Sequence, residues 1–341
     1  MSDKNLATIR TIKSLEPING ADKIVLAKFN EVFWQSVVKK AQFNIGDKVI
    51  YIVIDTILPK DAPWSQFLKN NTQTDEPIRL KSAKLRSVLS QGLTLPLDVL
   101  PVGEYEIGQD VTDILKIEKY EKPISVQMAG QVKGNYPTFI KKTNEERLQN
   151  VPNVLRELIG KEIYIAQKID GSSSTFYFNN GEFGVCSRNL DLKESESNVF
   201  WKMAIKYDIQ NKLKELNRNI SIQGETFGTG VNGNKLGKTD VDLVLFNAWD
   251  IDEQKYLGLK GLKELSEILN IPHVPIIYQG IYDEKWDINY FLNLADEQKY
   301  PNGSQAEGIV IRTVEESYSR ELNGRMSFKV ISNKFALKYG E

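Results

Sequence analysis

One cysteine and one histidine occur in 341 residues, and neither sign of charge prevails: 44 Lys and Arg stand against 45 Asp and Glu, a net charge of −1. A lone Cys186 excludes internal disulfides, fits a reducing compartment and reads as core filler. The lone His273, in Ile271-Pro272-His273-Val274-Pro275 between a helix and a strand, reads as structural, which argues against histidine catalysis or a histidine-rich metal site. A near-neutral chain has no overall attraction to nucleic acid, so any surface for it must be a local patch. Long apolar runs are missing as well. No window approaches a membrane span, and Met1-Ser2-Asp3-Lys4-Asn5 lacks the apolar core of a signal peptide. The expectation is a cytoplasmic protein with no membrane partner.

What is present changes character along the chain. Short strand-like runs dominate at first, over residues 6–12, 23–29, 32–38, 48–54 and 92–97, separated by turn signals such as Ile18-Asn19-Gly20-Ala21-Asp22 and Asn44-Ile45-Gly46-Asp47. They read as a small β-barrel, and five such strands permit an OB-fold, a barrel that binds oligonucleotides. Residues 121–135 are polar and glycine-bearing, as a linker would be. From residue 136 the pattern mixes helical spacing (151–159, 198–207, 209–216, 259–269) with strands (161–168, 175–178, 220–225, 243–249, 308–312). The chain therefore divides into residues 1–120, a linker, and residues 136–341. Within the first part Arg79-Leu80-Lys81-Ser82-Ala83-Lys84-Leu85-Arg86 is the one dense basic stretch. Arg79, Lys81, Lys84 and Arg86 suit a track of RNA phosphates, and equally a solvated charged loop.

The densest chemistry lies in Ala166-Gln167-Lys168-Ile169-Asp170-Gly171-Ser172-Ser173. Here the alternating strand Glu162-Ile163-Tyr164-Ile165-Ala166 ends in a lysine, with a carboxylate two residues on and a glycine and serines that permit a tight bend near phosphates. An amine could attack phosphorus, but an ammonium with a reference pKa of about 10.4 cannot, so burial, nearby cations or a divalent metal must favour the free amine.

Five further segments follow in order: Ser187-Arg188-Asn189, Gln223-Gly224-Glu225-Thr226-Phe227-Gly228, Phe246-Asn247-Ala248-Trp249-Asp250-Ile251, Ala306-Glu307-Gly308-Ile309-Val310-Ile311-Arg312 and Ser327-Phe328-Lys329-Val330-Ile331-Ser332. This order resembles motifs I, Ia, III, IIIa, IV and V of the covalent nucleotidyltransferase superfamily, which includes ATP-dependent ligases and RNA capping enzymes. The lead-in Tyr136-Pro137-Thr138-Phe139-Ile140-Lys141-Lys142-Thr143-Asn144-Glu145-Glu146-Arg147-Leu148-Gln149-Asn150 resembles that of RNA ligases, with their Thr-x-Glu-x-Arg-x-Gln-Asn signature. Only ten residues follow Ile331, too few for the C-terminal OB domain of DNA ligases and capping enzymes, so the order resembles an RNA ligase family with an N-terminal OB module.

The resemblance implies an α+β protein: an N-terminal β-barrel (OB-fold), then an ATP-grasp-like nucleotidyltransferase domain of antiparallel sheets flanked by helices. It implies ATP as cosubstrate, Mg2+ or Mn2+, and sealing of RNA 3′-hydroxyl and 5′-phosphate ends, with nicks in duplexes, RNA/DNA hybrids among them, as substrates. Catalytic roles fall to Lys168, Asp170, Glu225, Glu307 and Lys329. Asp170, Glu225 and Glu307 would contact a metal mainly through its waters. The ATP pocket would be formed by Glu146, Arg147, Gln167, Lys168, Ile169, Arg188, Glu225 and Lys329, with Trp249 stacking on adenine or Phe246 in its place. The odd separation of those two aromatics would put them on opposite faces of a regular strand. Arg188 would also serve the RNA strand. Many relatives carry Lys-x-Lys in the last motif; here Ile331 takes the second place, leaving Lys334 or Lys338 to supply a second charge. An RNA-capping guanylyltransferase and a noncatalytic OB-containing RNA-binding protein are the alternatives.

Overall fold

Alternating apolar residues in the first hundred positions resolve into a curled antiparallel sheet in a computed structural model, which describes residues 5–71, 78–86, 88–120 and 130–340. Strand order is Gln35–Lys39, Ala21–Phe29, Ala7–Ile18, Lys48–Val53, Gly92–Leu95. The long Ala7–Ile18 strand serves two neighbours: its first half pairs with Lys48–Ile52 and its second with Ala21–Phe29, across register shifts that bend it. That bend brings the outer strands together. Gln91 N–H donates to Gln35 O at 2.9 Å, Val37 N–H to Ser90 Oγ at 3.0 Å, and the Ser36 and Thr94 hydroxyls bond to each other. The result is a nearly closed, OB-like barrel. Because Val49, Ile50, Tyr51 and Ile52 are all buried, successive residues of one strand feed two apolar clusters.

Two compact units partition the chain: residues 1–122 with 334–341, and residues 123–333. Residues 334–340, expected with the second domain, cluster with the first unit, and Phe335 is fully buried. Residues 121–129 of the expected linker lie outside the described residues, while Val132–Asn135 is a strand paired with Leu190–Leu192.

The second unit is built on two sheets. Seven strands are ordered Val132–Asn135, Leu190–Leu192, Glu182–Cys186, Ser172–Asn179, Ile220–Gly228, Val241–Asp250, Lys255–Tyr256, all antiparallel. One face buries Phe176, Ile222, Leu243 and Leu245 against the helices Val199–Lys206, Ile209–Glu215 and Gly258–Leu269. Five strands make the other sheet: Glu146–Arg147, Ser327–Ile331, Gly308–Thr313, Glu162–Lys168, Ile276–Ile281. It departs from the all-antiparallel expectation in one pair, Glu146–Arg147 running parallel to Phe328–Lys329. Ile163, Ile165, Ile309, Ile311 and Phe328 pack on Phe291 of the Ile288–Glu297 helix and on Leu155 and Leu158. The last two lie in a 3-10 turn, Pro152–Leu158, where an α-helix was expected.

Burying one such side chain contributes about 1.5–3 kcal/mol, against about 0–1 for an exposed ion pair, so the isoleucines hold the sheet. Their alternation also aims the chemistry. With Ile163 and Ile165 on the outer face, Tyr164 and Ala166 join Phe227, Val244 and Phe246 between the sheets, and Lys168 follows them inward. Among the described residues no helix is long and apolar enough to cross a membrane.

Candidate active site

Lys168 closes the Glu162–Lys168 strand, in register with Gly308. That pairing puts Glu307 beside it: Lys168 Nζ donates to Glu307 Oε2 at 2.6 Å, the two side chains being 26% and 11% exposed. The chain then turns at Gly171, where an added Cβ would lie 2.4 Å from Thr226 O, so no other residue fits without backbone movement. Asp170 is carried into the interior by this turn. Its Oδ1 accepts Asn232 Nδ2 at 2.7 Å, and Lys235 Nζ lies 3.0 Å from Oδ2. Neither partner was anticipated from sequence. Burial, joined by the Glu307 charge, pushes the Asp170 carboxyl up, against the pull of Lys235 and Lys168.

Glu225 reaches the same place from the other sheet, opposite Ser173. Burial pushes its carboxyl up to about 8; Glu307 and Asp170 add to this, while Lys168 and Arg188 oppose it. Three carboxylates therefore surround one lysine. Beyond them, Lys329 on Ser327–Ile331 is held down at about 8 by burial and by the charges of Arg147 and Lys168. Arg147 stands opposite Lys329 in the parallel pair, whereas Lys334 and Lys338 fall in the first unit. Arg147 is thus a cation beside Lys329. Arg188 is exposed, and its charge reaches Glu225.

A second polar network borders this cluster. Arg312 is buried and donates to Glu145 Oε1 at 2.6 Å, Ser327 Oγ at 2.9 Å and Phe246 O at 2.7 Å. Burial opposes ionisation of Glu145, but Arg312, Arg325 and Lys329 outweigh it and hold the carboxyl at about 2. Glu146, the glutamate expected in the pocket, is exposed and bonds Asn150 Nδ2 at 2.6 Å and the Arg147 N–H at 2.9 Å. The inward residue is Glu145, and its period-two spacing from Thr143 and Arg147 was the available signal. Gln167 is also occupied, its Nε2 donating to Lys299 O at 3.0 Å, while Ile169 is part of the apolar wall that includes Phe246.

The expected placement of the two aromatics on opposite faces needs correction. Register slips between Gln223 and Gly224 against Asn247 and Leu245, leaving Phe246 as an extra residue. With alternation broken there, Phe246 and Trp249 lie on the same side, away from the helix-covered face. Trp249 is 7% exposed, packs 4.8 Å from Tyr256 and donates Nε1–H to Phe139 O at 3.2 Å. Its ring is engaged by the protein. Phe246, half-buried beside Ile169, is the aromatic on the Lys168 side.

The basic stretch of the first unit separates similarly. Arg79 is bound to Asp55 at 2.7 Å and lies over the Tyr120 ring at 3.8 Å, so its guanidinium is engaged within the unit. Lys81 is exposed, and Lys84 and Arg86 are exposed on the hairpin of Ala83–Leu85 and Val88–Ser90. His273 bonds Val274 O through Nδ1 at 2.8 Å, and burial pushes up the Cys186 thiol.

Among the described residues no three His, Cys, Asp or Glu side chains are placed to hold a metal directly. The donor chemistry nevertheless fits a hydrated divalent cation. Burial raises the carboxyls of both Asp170 and Glu225, and Glu307 adds to it, so a nearby cation would favour their charged forms, and Mg2+ readily binds through its waters.

Comparison with known proteins gives one consistent answer. Residues 161–331 match the family described as RNA ligase, and residues 6–97 match an OB-fold domain. None of the curated proteins compared with the chain matches it. Among solved structures, the chain is similar to an apo aspartate-to-alanine mutant of the Naegleria gruberi RNA ligase, at 35% identity and a TM-score of 0.88 over 99% of both chains. A lysine-to-alanine mutant of that ligase with ATP and Mn is 35% identical, with a TM-score of 0.88 over 98% of this chain and 99% of that one. The same ligase with PPi is 35% identical, with a TM-score of 0.87 over 98% of each chain.

Proposed function

Since the chain belongs to the RNA ligase family and is an ATP-dependent RNA ligase, we propose that it seals 3′-hydroxyl and 5′-phosphate ends through an AMP carried on Lys168. The Lys168 amine attacks the α-phosphorus of ATP, a P–N bond forms, the bond to pyrophosphate breaks, and the amine's proton leaves. AMP then passes to a 5′-phosphate, and a 3′-hydroxyl attacks that phosphate, releasing AMP and leaving a phosphodiester. One observation carries this reading: Lys168 Nζ, aimed between the sheets and 2.6 Å from Glu307, sits among three carboxylates with Arg147 and Lys329 beside them. At rest Glu307 holds the proton-bearing nitrogen, and that proton must leave before attack.

Arg147 and Lys329 supply positive charge for the phosphates and the departing pyrophosphate. Asp170, Glu225 and Glu307 would hold a Mg2+ or Mn2+ ion through its waters, where its charge would favour the free amine and neutralise phosphate oxygens. Phe246 is the base-stacking candidate. Duplex nicks, RNA/DNA hybrids among them, are the proposed substrates, read through 2′-hydroxyls, with Lys81, Lys84, Arg86 and Arg188 on RNA phosphates.

The test uses ATP or GTP labelled at the α-phosphate, the wild type and Lys168→Ala. Label from ATP retained on denatured wild type and absent from the variant is expected, followed by sealing of a 5′-phosphate RNA nick. Label from GTP alone would indicate capping instead, and no label on AMP-free protein would indicate a noncatalytic RNA-binding protein.

A further inference from the structure

Tyr300, after the Ile288–Glu297 helix, is 2% exposed and packs in the cluster between the sheets. Its hydroxyl donates to Lys168 O at 3.0 Å and accepts the Asp170 N–H at 2.8 Å and the Glu307 N–H at 3.1 Å. A hydroxyl has one donor and two acceptor sites, and all three are spent here on backbone. That backbone carries Lys168, Asp170 and Glu307, which come from chain segments more than a hundred residues apart. The same turn also reaches the Asp170 carboxylate. Asn302 Nδ2 and Ser304 Oγ donate to Lys235 O at 3.1 and 2.7 Å, and Lys235 Nζ lies 3.0 Å from Asp170 Oδ2. Burial pushes the phenol pKa up, so Tyr300 stays a neutral donor.

We propose that Tyr300 is a positioning residue that sets Lys168 against Asp170 and Glu307 by tying their backbones to one hydroxyl. It touches no substrate. Ring burial alone would make Tyr300 an ordinary core residue, but apolar packing asks nothing of a hydroxyl, and this one joins both strands of the site. The proposal rests on Lys168 being the nucleophile, and Tyr300→Phe isolates the hydroxyl because it keeps the ring.

Three readings on Tyr300→Phe are expected: a thermal midpoint lowered by a few degrees, an unchanged half-saturating ATP concentration, and lysyl-AMP formation slowed by roughly ten- to a hundredfold, as a displacement of about 1 Å costs. Sealing of RNA supplied already adenylylated, which does not use Lys168 as nucleophile, should fall less. Labelling at the wild-type rate, or equal slowing of both steps, overturns the proposal. Amide exchange on the wild-type protein tests the clamp without any reaction and without the variant: strong protection of the Asp170 and Glu307 N–H groups is expected, and exchange at the open-chain rate overturns it. A wild type that takes no label from ATP would instead overturn the nucleophile assignment, with the exchange result still deciding whether the clamp exists.

Discussion

Two charged clusters lie side by side in the second unit, and they are poised in opposite senses. Around Glu145 the charges are closed on each other: Arg312 is spent on Glu145, Ser327 and the Phe246 carbonyl, and the carboxyl is held at about 2. Around Lys168 they are left uneven: Glu225 is pushed up to about 8 by burial and by Glu307 and Asp170, and Lys329 is pressed down to about 8. A balanced network braces strands, whereas an unbalanced one is a place where phosphates and a cation complete the balance. Raised acids beside lowered bases are the signature of a site that expects a ligand.

Substitutions separate the two clusters, beginning with the largest effect. Lys168→Ala should cut ATP labelling by roughly a thousandfold or more, the nucleophile itself being lost, with the urea midpoint little changed. Arg312→Ala should do the reverse first, destabilising the fold by about 3–5 kcal/mol because it strands the buried Glu145 charge. Urea unfolding measures it, and a loss of under 1 kcal/mol would show that Glu145 is not braced as described. Lys329→Ala should slow lysine adenylylation by roughly a hundredfold, as removal of one transition-state charge contact does, again read from single-turnover labelling.

Acidity gives a subtler contrast. Glu225 is raised from 4.5 to about 8, so its contribution to stability is full below pH 4.5 and is lost as pH rises through 8. Glu145 is lowered from 4.5 to about 2, so its contribution is present above pH 4.5 and is lost as pH falls through 2. Urea midpoints across pH should therefore flatten on the alkaline side in Glu225→Gln and on the acid side in Glu145→Gln; interchangeable profiles would erase the distinction. The smallest effect lies in the first unit. Lys84→Ala with Arg86→Ala should lower the salt slope of RNA binding by about 1–2, near 0.7–0.9 per lost phosphate contact, and an unchanged slope would remove that hairpin from the RNA surface.

Much of this was legible beforehand for local reasons. Lys168, Asp170, Glu225, Glu307 and Lys329 stand in short motifs in or beside strands, where period-two burial already says which way a strand side chain faces. The barrel strands were visible because Val, Ile and Leu alternate between clear turn signals. Other features were not. A bulge has no mark in a period-two pattern, so Phe246 and Trp249 were placed on opposite faces when the extra residue puts them on one. Adjacent Glu145 and Glu146 differ only in strand parity, which a two-residue strand paired in parallel with Phe328–Lys329 decides. Arg79 reads as one more cation of a basic run until Asp55 and Tyr120 are seen around it.

The amino-acid order by itself determined the strand-and-turn grammar and marked the proposed nucleophile and its acids, because these depend on neighbours a few residues apart. Tertiary structure alone decided which groups complete the site. Asn232, Lys235 and Tyr300 lie 62, 65 and 130 residues from Asp170, and the Arg312–Glu145 pair is 167 residues apart. Partners at such separations meet only when the sheets close, since hydrogen bonds and charge shifts in a buried site act over a few ångströms of space and carry no trace of distance along the chain.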